Sequence, residues 1–90
     1  MANPVFIDLT KDTWTKVATA VTSGIVHKIK SQPYNYLQTY RLTGEAAPTD
    51  KADGVRVFEN DIDFVEIAAT VPIDVYLYPV NADGRIRVDV

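Results

Sequence analysis

The chain contains no cysteine. Disulfides, thiolate metal sites and cysteine nucleophiles are excluded with it. It has one histidine, His27, and two serines, Ser23 and Ser31. A serine nucleophile needs a base and an orienting acid, and neither serine sits in a Gly-x-Ser-x-Gly turn. His27 falls between Val26 and Lys28 in a strand-like run, the usual setting of a solvated surface residue. A zinc centre needs several histidines or cysteines. The four glycines are dispersed and none precedes a helix-like segment, so a phosphate-cradling loop has no place to form. No apolar run approaches the ~20 residues of a spanning helix. The first residues, Met1-Ala2-Asn3-Pro4-Val5, lack the basic and then apolar pattern of a signal peptide. The chain is therefore expected to be made in the cytoplasm.

Positive charge is also short. Nine basic residues face twelve acidic ones, for a net charge of -3. Nucleic-acid binding draws most of its affinity from neutralised phosphates. The basic spots His27, Lys28, Lys30 and Arg85, Arg87 are too small for that, so nucleic acid is not the expected partner.

What is present is strand-like. Ninety residues make one domain, spanning 1–90, of which 47% are hydrophobic and 23% charged; this is an ordinary globular composition. Valine, isoleucine, threonine and tyrosine dominate and suit a pleated surface. Turn signals such as Ser23-Gly24, Thr43-Gly44, Asp53-Gly54 and Pro72 recur roughly every ten residues, the mark of a sandwich or barrel. The expected fold is all-β: a single small antiparallel sandwich or barrel of about seven to eight strands, jelly-roll-like. The strands read as Val5–Leu9, Thr15–Val21, Ile25–Lys30, Tyr36–Leu42, Val55–Phe58, Phe64–Ala68, Ile73–Tyr78 and Arg85–Val90. An irregular loop occupies about 43–54. Trp14, Val17, Ala18 and Val21 also fit helical spacing, but the threonines around them favour a strand. Asn81-Ala82-Asp83-Gly84 suits a hairpin with glycine in the left-handed position. A final strand running to Val90 is expected at a sheet edge.

Two features invite a site. Glu59-Asn60-Asp61-Ile62-Asp63 gathers oxygen ligands of the kind calcium takes. It lacks the spacing and glycine of an EF-hand, so an acidic turn is the preferred reading and no metal or cofactor is expected. As a carboxylate pair for glycoside cleavage it is poorly placed, since sequence neighbours rarely straddle a sugar ring. The tyrosines form the second feature. Tyr34, Tyr36 and Tyr40 share one strand face, with Leu37, Thr39 and Arg41 on the other. Tyr76 and Tyr78 point away from Ile73, Val75 and Leu77. Such aromatics mark either an interface or a face covered within the sandwich.

Four segments carry a resemblance: Trp14-Thr-Lys-Val-Ala-Thr-Ala-Val-Thr-Ser-Gly24, Tyr40-Arg-Leu-Thr-Gly-Glu-Ala-Ala-Pro-Thr49, Ile73-Asp-Val-Tyr-Leu77 and Asp83-Gly-Arg-Ile-Arg-Val88. In this order they resemble small structural proteins of tailed-bacteriophage virions. The resemblance implies a non-enzymatic virion component that decorates or stabilises the capsid by binding the major capsid protein lattice. It also implies homo-oligomers on assembly and no catalytic residues. The residues expected at the partner contact are Trp14, Tyr36, Tyr40, Arg41, Tyr76 and Tyr78, although a lone tryptophan also suits a core. The alternatives are a carbohydrate- or host-surface-binding module, or a neck or tail component.

Overall fold

The computed structural model describes residues 5–29, 35–58 and 62–90. Its regular structure is nearly all β, in six strands: β1 Val5–Leu9, β2 Thr15–Lys28, β3 Asn35–Leu42, β4 Val55–Val57, β5 Phe64–Val80 and β6 Gly84–Asp89. They form one antiparallel sheet in the order β1-β6-β2-β5-β3-β4. The expected small all-β fold is present. Against an expectation of about seven to eight strands in a sandwich or barrel, the described residues form six strands in one antiparallel sheet.

The difference lies at two apparent breaks. Ser23-Gly24 reads as a turn, yet β2 runs through it. Gly24 has φ +153, and a Cβ there would lie 2.6 Å from Val90 Cγ1 and 2.9 Å from the Asp89 carbonyl oxygen. The glycine lets the end of the chain pack against β2 and does not turn it. Pro72 also reads as a stop, yet β5 continues past it. From Val21 to Ser23 the β2 chain advances two residues, while β5 moves five, from Ile73 to Ala68. This irregularity puts Pro72 where no ladder hydrogen bond is asked of it, the usual tolerance for a strand proline.

The irregularity between Val21 and Ser23 divides the sheet into two wings. The first half of β2 pairs with the second half of β5, which also carries β3 and then β4. The second half of β2 pairs with β6, which carries β1. Tyr36 on β3 and Gly84 on β6 belong to opposite wings, with two strands between them in the sheet. A Cβ on Gly84 would nevertheless meet the Tyr36 hydroxyl, so the sheet folds over on itself. Between the wings lie Leu9, Val17, Val26, Tyr36, Ile67, Val75, Leu77, Ile86 and Val88. Alternation supplies them, as Val75 and Leu77 on β5 and Ile86 and Val88 on β6 each send every second side chain inward.

Two expectations about the C-terminal region need correction. Asn81-Ala82-Asp83-Gly84 is not a hairpin, because β2 lies between β5 and β6. It is a corner that carries the chain between wings. Asn81, not glycine, takes the left-handed position, with φ 67, which asparagine tolerates well. The last strand, β6, is interior, paired with β1 on one side and β2 on the other. Among the described residues, the edges of the sheet are β1 and β4.

Candidate functional site

The six residues expected at a partner contact do not share a surface. Residues opposite one another in an antiparallel ladder point to the same side of the sheet. Tyr36 pairs with Pro79 and Tyr40 with Val75, whereas Arg41 pairs with Asp74 and Lys16 with Tyr76. Tyr36 and Tyr40 therefore lie on the inner face. Arg41, Tyr76 and Tyr78 lie on the outer face, away from Ile73, Val75 and Leu77.

Tyr36 is core, 1% exposed. Its ring meets Phe58 edge-on at 5.4 Å and closes over Gly84. Tyr76 is outward but only 4% exposed. Neither is available to a partner on the folded chain, which corrects the reading of both as surface contacts. Lys16 Nζ stands 5.9 Å from the Tyr76 ring centroid, and residues 43–54 lie across this face. The Trp14 indole nitrogen donates to the Asp50 carbonyl at 3.2 Å. Arg41 Nη2 donates to Asp53 Oδ2 at 3.0 Å. The Thr43 hydroxyl donates to Asp74 Oδ1 at 3.3 Å. Gly54 comes so close that an added Cβ would be 2.8 Å from both Leu37 Cβ and Trp14 Cη2. A short 3-10 turn, Lys51–Asp53, is capped by the Asp50 side chain accepting from the Ala52 N–H at 2.9 Å. Arg41 is tethered by this loop as well as by bonds to Thr39 Oγ1 and the Tyr40 carbonyl.

Asp74 is the buried charge under the loop. Its carboxylate accepts from the Ala20 N–H at 2.9 Å and from Thr43, and Lys16 Nζ lies 3.4 Å away. The Ala20 hydrogen bond holds its pKa below the ordinary value of 3.8. Burial pulls the other way, and Lys16 and Thr43 add to the lowering. Hydrogen bonds to the ionised form act in this direction. The Asp74 carboxylate anchors a bulge in β2, which advances three residues from Ala18 to Val21 while β5 moves two, from Val75 to Ile73.

Two accessible features lie close to these tyrosines. Trp14 and Tyr78 pack with ring centroids 5.2 Å apart at 58°. They line an open recess of about 370 Å³ together with Asp12, Pro48, Thr49 and Lys51. The second feature is an apolar shelf. Tyr40, Leu42 and Val71 are 53%, 51% and 50% exposed. Tyr40 and Leu42 pair with the buried Val75 and Ile73. Val71 is two residues from Ile73, on its side of β5 by alternation. The shelf continues the core face beyond the region where the second wing covers Tyr36. Leu42 and Val71 were not among the expected contacts, and the alternation of β3 alone could have placed Leu42 beside Tyr40.

Tyr34, Lys30, Ser31, Glu59, Asn60 and Asp61 lie outside the described residues. Among the described residues no group of three or more acids or histidines could hold a metal ion, and no helix is long and apolar enough to cross a membrane. His27 Nε2 lies 3.2 Å from Asp89 Oδ2, which Arg87 also contacts at 3.1 Å. Compared with protein-family models, with curated proteins and with solved structures, the chain matches none.

Proposed function

We propose that this chain is a non-enzymatic structural protein of a tailed-bacteriophage virion, seated on the major capsid protein lattice through its apolar shelf. The observation that carries the reading is the shelf of Tyr40, Leu42 and Val71, each half exposed and continuous with the buried Ile73 and Val75. A contiguous apolar surface of this kind marks an interaction site more often than chance exposure does. A small shelf gives modest affinity for one copy, and repetition on a lattice multiplies it. The resemblance of the four sequence segments to small virion proteins points to the same partner.

The test is sedimentation of the purified chain with capsids that lack it. Saturation at a fixed number of copies per capsid supports the proposal. A chain that stays in the supernatant at every concentration removes the capsid, and a chain that sediments only with necks or tails moves it to those parts.

One observation favours a second reading. The recess over Trp14 and Tyr78 combines aromatic surface with Asp12, Thr49 and Lys51, the mixture a sugar ring uses for stacking and hydroxyl bonding. Because Trp14 is the only tryptophan, its fluorescence reports directly on this recess. Saturable change on titration with glycans favours the carbohydrate reading, and silence across a glycan panel removes it.

A further inference from the structure

Among the described residues, the two edges of the sheet differ in a way that predicts how copies of this chain meet. β4 is three residues long with Arg56 at its centre, and short or charged edges resist pairing. β1 is five residues, Val5-Phe6-Ile7-Asp8-Leu9, with a single charge and no proline. Val5 and Phe6 stand exposed on it. Its inner neighbour is β6, in register Phe6 with Arg87 and Asp8 with Arg85.

We propose that β1 is the seam of a two-fold dimer, in which two copies pair antiparallel about Ile7. On the inner face two aliphatic residues, Val5 and Leu9, flank Ile7 symmetrically. Pairing centred there sets Val5 opposite the second copy's Leu9, Ile7 opposite Ile7, and Phe6 opposite Asp8. The inner face is then apolar against apolar. On the outer face, one row across the seam reads Arg87, Phe6, then the second copy's Asp8 and Arg85. Each Asp8 carboxylate keeps its own Arg85, whose Nε is 3.5 Å away. That guanidinium also lies 5.3 Å from the Phe6 ring centroid. Four arginines thus flank two carboxylates, and charge does not oppose the contact. A slip of one residue would set inward residues against outward ones, and only the register centred on Ile7 pairs all five residues. The seam is isologous, so it closes at two copies. It is small, which makes the dimer concentration-dependent.

This surface is separate from the shelf on Tyr40, Leu42 and Val71, and its test is independent of capsid binding. Sedimentation equilibrium over a wide concentration range should show the wild-type chain passing from monomer to dimer. Phe6→Asp sets two carboxylates face to face twice per dimer and should weaken it by about tenfold or more. Phe6→Lys sets an ammonium against each Asp8 and should keep or tighten it. In the monomer the charges act in the opposite sense, because Phe6 lies between Arg85 and Arg87. Loss of dimer in Phe6→Asp with an unchanged or higher melting temperature is therefore not unfolding. Leu42→Asp should leave the dimer intact. A wild-type chain that stays monomeric at the highest concentration overturns the proposal. So does an equal effect of Phe6→Asp and Phe6→Lys.

Discussion

The backbone N–H of Ala20 donates to Asp74 Oδ1 at 2.9 Å, across 54 residues of sequence. Ala20 has φ 53, a left-handed conformation that costs an alanine about 1–2 kcal/mol. The bulge in β2 is therefore a strained backbone held by a buried carboxylate. The strain and its anchor make separate predictions.

Ala20→Gly removes the steric cost and keeps the donor. Glycine's extra freedom in the unfolded chain offsets part of the gain. The net expectation is stabilisation by about 0.5–1 kcal/mol, read as a higher urea midpoint with an unchanged slope.

Asp74 ties stability to acid. Its folded pKa is lowered below 3.8, so the folded state binds its proton less readily than the unfolded state. The stabilisation is whole above the unfolded value and is lost as pH falls through the lower folded value. The loss thus falls below about pH 4. Asp74→Asn is expected to be less stable than wild type at neutral pH. The gap between the two should narrow on acidification below pH 4. Denaturant melts of both proteins between pH 2.5 and 7 would show it, and a gap of constant size would count against the anchor.

Gly84 and Tyr36 pin the two wings together. Gly84→Ala drives a methyl into the Tyr36 hydroxyl and ring, an overpacking expected to cost about 1–3 kcal/mol. Tyr36→Phe removes the nearest atom, so the double variant should lose less than the sum of the singles. Thermal melts of the four proteins complete the cycle.

The tyrosines should separate into two classes. Tyr36→Ala and Tyr76→Ala empty buried sites and are expected to cost about 3–5 kcal/mol, enough to threaten folding of so small a domain. Tyr40→Ala is half exposed and should cost well under that, about 1 kcal/mol or less. Circular dichroism during heating distinguishes them.

The sequence makes β1 and β3 legible almost to the residue, because Val5–Leu9 and Tyr36–Leu42 are strand-like runs set between turn signals. It misleads at Gly24 and Pro72, where local chemistry says stop and the long partner strand carries the chain through. A bulge is an agreement between two strands, and neither one announces it alone. The same non-locality hides the site. Tyr36, Tyr40, Tyr76 and Tyr78 look alike as a pattern of outward aromatics. Tyr76 lies on the face across which residues 43–54, which have no periodicity of their own, are fastened by Trp14, Arg41 and Asp74. Tyr36 is buried because a glycine 48 residues later, Gly84, admits its ring. Tyr40 stays exposed because the opposite wing ends short of it.

The most direct test of the assembly reading is a paired sedimentation of wild type and Leu42→Asp with capsids lacking the chain. Leu42 is exposed, so the variant should melt within a few degrees of wild type. The account predicts that wild type saturates the capsids while Leu42→Asp, equally folded, stays in the supernatant. Equal binding by both proteins would contradict it.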